Sequence, residues 1–165
     1  MAGFTLTLAL EHYDRHLPLL EGKVVPEGID LHVEHVTVEG GRHERMLDHR
    51  AWDACELSLG SYIMARARGA PLTAVPVFPR RLFSQSQMYV NTGAGITAPR
   101  DLIGKRVGLR SFQTTLSVLA KGDLQHEYGV PLDQVTWVTS ADEPVRFDPP
   151  PGVRIERAPR DRNIE

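Results

Sequence analysis

The sequence predicts an α/β protein with a mostly parallel sheet, helices on both faces and a division into two lobes. Strand-like and helix-like segments alternate through the first 80 residues. Alternation of this kind is built from β-α-β crossovers, which lay strands parallel. The polar, proline-opened stretch "PRRLFSQSQ" (Pro79–Gln87) interrupts it and reads as a crossover, giving a first lobe at 1–80 and a second at 81–165. A strand-to-helix joint rich in hydroxyls occurs once on each side: "DACELSLGSYIMAR" begins at Asp53 and "KRVGLRSFQTTLSVLAKG" at Lys105.

Element by element, "FTLTLAL" (Phe4–Leu10) alternates and reads as a strand. "DRHLPLLEGKV" is a short helix, with Asp14 placed to cap it and Pro18 in its first turn. "PEGIDLHVEHVTV" gives a second strand with Ile29, Leu31 and Val33 on one face. "GGRHERMLDHRAW" is a helix with Met46 and Leu47 inward and its charges outward. "DACEL" is a short buried strand, and "SLGSYIMARARG" a helix with Gly69 near its end. "LTAVPVF" reads as a strand that Pro76 confines to an edge or a terminus. After the crossover come strand "MYVN", loop "TGAGITAPRDLIG", strand "KRVGL" and helix "TTLSVLAKGDLQHEYG". That helix carries Leu116, Leu119, Ala120 and Leu124 as its inner stripe and Gly129 as its cap. "VTWVTS" and "VRIERAP" are further strands, separated by "FDPPPG".

Composition narrows the function classes. The chain has 165 residues, 41% apolar and 24% charged, as soluble globular proteins do. A net charge of −2 argues against nucleic acid or an anionic membrane as partner. No apolar run approaches the roughly 20 residues that span a bilayer, and the N-terminus lacks a basic region and a cleavage site, so a cytoplasmic location is expected. Cys55 is the single cysteine, which excludes an internal disulfide; it lies in an apolar strand and reads as packing. "GAGITA" fits a dinucleotide fingerprint superficially, but Pro99 follows with no long helix, so it reads as a loop and no cofactor is expected.

The two joints suggest anion binding. Ligands of parallel α/β sheets bind beyond the carboxyl ends of the strands, where helix N-termini offer unpaired N–H groups and partial positive charge. Ser58 and Ser61 stand at one joint, Ser111, Thr114 and Thr115 at the other. One joint in each lobe, facing a shared cleft, would clamp one small anion. Read singly, each hydroxyl is an N-cap with no ligand; the pairing of the two joints is what points to one.

The segments "LALEHYDRHLPLLEGKVVPEGIDL", "DACELSLGSYIMARARG", "VPVFPRRLFSQSQMYVN" and "DLIGKRVGL" together resemble the 4,5-dihydroxyphthalate decarboxylase family. The resemblance runs along nearly all of the chain. It implies a type 2 periplasmic-binding-protein-like fold and non-oxidative loss of one carboxylate from an aromatic diacid, giving protocatechuate. The chain departs from the family in two ways. Leu17 stands two residues after "YDR", where family members carry an arginine, and family chains are about twice this long, on the order of two full lobes. The chain therefore reads as an N-terminal half with an incomplete second lobe. Its expected partners are a small anionic aromatic ligand and either a second copy of itself or a chain supplying the missing half.

That chemistry needs groups to orient carboxylates, a group near the ring hydroxyl, and an acid to protonate the ring. Arg15, included in the resemblance, suits a carboxylate bidentately; the alternative is an ion pair with Asp14 or Glu11. Arg80 and Arg81 border the crossover, with plain exposure as the alternative. Glu56, ending a short buried strand, is a candidate acid or a structural acceptor. His12 is a second candidate acid, and His16 a third. Tyr13 and Tyr62 are candidate ring or hydroxyl partners. Of the other histidines, His32, His35, His43 and His49 form no recognised ligand pattern, so no metal is expected.

Overall fold

Strand β1 (Phe4–Leu10) is the centre of the first sheet because it is the strand with neighbours on both sides. In the computed structural model, which describes residues 3–159, it pairs in parallel with β2 (Ile29–His35), Phe4 opposite Ile29 through Leu10 opposite His35. On its other side it pairs in parallel with β3 (Ala54–Cys55). Only two residues of β3 join the ladder, and Asp53 extends the contact: its carboxylate accepts from the Thr7 amide (2.8 Å) and hydroxyl (2.7 Å). Central position explains why Ala9 is wholly buried, while Ile29, Leu31 and Val33 alternate with exposed residues on the outer β2.

Between β1 and β2 lie a 3-10 turn (Asp14–His16) and α1 (Leu17–Leu20), the latter opened by Pro18. Asp14 does not cap this helix; its carboxylate accepts from the adjacent Arg15 amide at 2.8 Å. Helix α2 (Arg42–His49) connects β2 to β3, entered through Gly41 in the left-handed region. Met46 faces inward and packs with Ala9 and Trp52, as expected; Leu47 is half-buried. The expectation that all charges of α2 face outward fails at Arg42, which is 1% exposed.

The second sheet is β4 (Arg106–Leu109), β5 (Thr136–Thr139) and β6 (Arg154–Arg157), ordered β4-β5-β6 and parallel throughout. Its core is Phe112, Leu124, Val130, Val135 and Trp137. Trp137 donates its indole N–H to the Leu132 carbonyl at 2.9 Å, which satisfies its one polar atom. Helices α3 (Leu59–Ala67) and α4 (Thr115–His126) pack on each other in this unit.

The chain thus separates into two compact units. Unit 1 is the chain up to Ser58 with Gly69–Arg80, and unit 2 is Leu59–Arg68 with the chain from Arg81 onward. Helix α3, expected in the first lobe, belongs with α4 in unit 2. Two expected strands do not form. "LTAVPVF" and "MYVN" have no ladder partner among the described residues, and Val75, Val77, Phe78, Tyr89 and Val90 stand exposed. A strand exists only by pairing, and Pro76 also removes a donor. On α4 the inner stripe is Ser117, Lys121 and Leu124, whereas Leu116 and Leu119, expected inside, are 36% and 50% exposed.

Candidate functional site

The carboxyl ends of β1 and β3 lie side by side, so Glu11 and Glu56, the first residues past those ends, come together. Two carboxylates at close range repel unless a cation lies between them. Arg42 is that cation. Its guanidinium donates to Glu11 Oε2 (3.1 Å), to the Glu56 backbone carbonyl (2.9 Å) and to the Val36 carbonyl, and lies 3.5 Å from Glu56 Oε2. The Glu11 amide also donates to Glu56 Oε2 at 3.3 Å. Burial draws the Glu11 carboxyl upward, but hydrogen bonds from Arg42 and the His12 amide outweigh it and hold its pKa below the usual carboxylate value.

Tyr13 closes this group by donating its phenol to Glu56 Oε1 at 3.3 Å. Burial, reinforced by the Glu56 charge, raises the Tyr13 pKa, with Arg80 opposing. The phenol is therefore a proton-bearing donor at neutral pH. Arg15 lies with its guanidinium carbon 4.5 Å from the Tyr13 ring centre, donates to the Pro79 carbonyl and meets Asp14 at 3.3 Å. Half of its side chain faces solvent, so donors remain for a carboxylate. His12 is exposed and meets His35 edge-on, ring centres 5.3 Å apart; His16 is buried, with its Nδ1 2.7 Å from the Glu11 carbonyl. Arg80 and Arg81 are both exposed. The structure therefore groups Tyr13, Arg15 and Glu56 within unit 1, leaves His12 at its surface, and buries His16 against the Glu11 carbonyl.

In unit 2 the opening of α4 is the polar centre. Thr114 is its N-cap, accepting from the Ser117 amide at 3.4 Å. Thr115 Oγ1 accepts from the Gly60 amide of α3 at 3.1 Å, and a side chain at Gly60 would collide with the Gln113 carbonyl. The α3 and α4 starts therefore meet inside one unit, not one in each lobe. Ser61 and Ser111 are 0% and 2% exposed, and neither hydroxyl has a hydrogen-bond partner. Buried polar atoms nearly always find one, so these two stand out. Ser58 and Tyr62 are half-buried and already engaged.

Sequence reasoning missed Arg42, Glu11, Lys121 and Glu143. "RHER" reads as a solvated helix face, and no spacing pairs Arg42 with Glu11 and Glu56, which are 31 and 14 residues away. Lys121 was hidden by the leucines around it, although Ser117, Lys121 and Leu124 do share helical spacing. Cys55 behaves as packing, its thiol pushed up to about 11, first by burial. No helix among the described residues is long and apolar enough to cross a membrane.

Two parallel sheets with hydroxyl-rich joints define a periodic β-α architecture of the periplasmic-binding type, and comparison with known proteins agrees. Residues 26–145 match the NMT1/THI5-like family model, and the chain belongs to that family. Within it, the chain is similar to two proteins named 4,5-dihydroxyphthalate decarboxylase, as the sequence segments implied. It is 38% identical to the one from Comamonas testosteroni and 33% identical to the one from Pseudomonas putida, each over 99% of this chain. The chain spans 52% of the length of the first and 66% of the second.

Proposed function

We propose that this chain serves the non-oxidative decarboxylation of a hydroxylated aromatic dicarboxylate, with 4,5-dihydroxyphthalate as substrate and protocatechuate and carbon dioxide as products. The observation that carries this reading is similarity along 99% of the chain to two proteins of that name. The chemistry of unit 1 supports it. Arg15 offers a half-exposed guanidinium for a carboxylate. Tyr13 and Glu56, already hydrogen-bonded to each other, suit a ring hydroxyl. In the reaction the bond from ring carbon to carboxyl carbon breaks, its electron pair stays on the ring, and a proton takes the vacated position. No oxidant or reductant is needed. His12, at the surface beside these groups in sequence, is the proposed proton donor. Within unit 2, taken by itself, the Ser111–Thr115 joint is a proposed carboxylate-binding element.

A binding-only role is the second reading. It is favoured by the tie between Glu56 and Arg42, which suits an acceptor better than an acid. Incubation of the chain with 4,5-dihydroxyphthalate, with protocatechuate followed by chromatography, separates the two. Product formation that falls at least tenfold in Arg15→Ala supports the decarboxylase reading. Binding without product supports the second.

A further inference from the structure

Lys121 is a buried cation to which the proposed reaction assigns no task. It lies on the inner side of α4, 5% exposed. Its Nζ donates to the Phe112 carbonyl at 2.6 Å, sits over the Phe112 ring, and is 6.0 Å from the centre of the Trp137 ring. The charge acting on it is Glu143, whose carboxylate accepts from the Phe112 amide at 2.6 Å and the Gln113 amide at 3.0 Å. The same turn of chain thus has its carbonyl held by a lysine and its amides by a glutamate. Gln113 adds two bonds to Val145, accepting from its amide at 3.2 Å and donating to its carbonyl.

A loop that only joined a strand to a helix would need no buried ammonium, because removing one from water is costly. The loop so fixed carries Ser111, whose buried hydroxyl is unpartnered, and leads into the positive end of a twelve-residue helix. Ser61, beside the contact between Gly60 and Thr115, is unpartnered as well. Each of these two buried hydroxyls lacks a hydrogen-bond partner, and Ser111 immediately precedes Phe112, whose carbonyl the Lys121 ammonium holds.

We propose that Lys121 is the positioning residue of an oxyanion site at the start of α4: its ammonium fixes the Phe112 carbonyl and so sets the Ser111 loop for a carboxylate. This rests on the dicarboxylate reading for the ligand, but the behaviour of the loop does not. Burial pushes Lys121 down to about 7, with Glu143 opposing, so its charge changes within the range where the protein is handled. Ligand binding then takes up a proton, and affinity falls as pH rises through neutrality.

The test has two arms. In the first, without ligand, amide exchange at Phe112 and Gln113 is followed by NMR from pH 6.5 to 8.5 in the wild type and in Lys121→Met, corrected for intrinsic exchange. Protection that drops severalfold in the wild type and stays level in Lys121→Met is expected. Level protection in the wild type overturns the proposal, and needs no variant to do so. In the second arm, the Kd of 4,5-dihydroxyphthalate is measured over the same range. Weakening of about tenfold with rising pH is expected in the wild type, no trend in Lys121→Met, and retained affinity at pH 8.5 in Lys121→Arg, which cannot lose its charge. A flat wild-type profile overturns the proposal. Absence of binding at every pH beside a titrating loop keeps the role of Lys121 and sinks the dicarboxylate reading instead.

Discussion

Arg42 joins three parts of unit 1 through one guanidinium: the end of β1 at Glu11, the end of β3 at Glu56, and the Val36 carbonyl beyond β2. Removing one partner of a buried ion pair leaves uncompensated charge, which costs about 3–5 kcal/mol. Arg42→Ala is expected to lose that much in urea unfolding, and Arg42→Lys to recover little, because an ammonium cannot reproduce the fork. A loss below about 1 kcal/mol, the range of exposed pairs, would contradict this role. Lys121 makes the opposite kind of residue-scale prediction. Its folded pKa, about 7, lies below the ordinary 10.5. Between those values the unfolded chain holds a proton that the folded chain has given up, so stability rises with pH there. The slope approaches about 1.4 kcal/mol per pH unit for one proton. Urea unfolding at pH 7.5 and 9.5 should show this rise in the wild type and a smaller one in Lys121→Met. Equal rises in both would place the titration elsewhere.

At the scale of elements, the approach of α3 to α4 depends on Gly60, since any Cβ there meets the Gln113 carbonyl. Gly60→Ala should destabilise the protein by about 1–3 kcal/mol, as overpacking does, although alanine is the better helix former. A gain in thermal stability would show that the helices part without cost. The elements also show what was legible beforehand. Strands β1, β2, β4, β5 and β6 and helices α2, α3 and α4 follow from alternation and helical spacing, which local sequence encodes directly. "LTAVPVF" and "MYVN" carry the same strand signal and form none, because pairing is a property of neighbours. The stripe of α4 misled for a related reason: leucine spacing gives an apolar face, but the Phe112 carbonyl and Glu143 decide which face turns inward. Among the side chains that meet beyond β1 and β3, Tyr13, Arg15 and Glu56 stand out in the sequence by motif and position. Arg42 does not, since its partners are adjacent only in the folded sheet.

For the whole molecule, the apolar residues along 75–90 bear on association: Val75, Val77, Phe78, Phe83 and Tyr89 are 56–84% exposed. The curated relatives extend well beyond the length matched here. Exposed apolar stretches of this kind favour association. Size-exclusion chromatography with light scattering should therefore show a mass that grows with concentration. The double substitution Val77→Asp with Phe83→Asp should return it toward 18.4 kDa. A wild type that stays monomeric throughout and binds no hydrophobic dye would contradict this.

Whether this chain binds an aromatic dicarboxylate is read from calorimetric titration. Saturable heat with 4,5-dihydroxyphthalate at one ligand per chain is expected, with at least tenfold weaker binding of the mono-acid protocatechuate. Equal affinity for both acids, or no heat from a folded chain, would contradict the dicarboxylate reading.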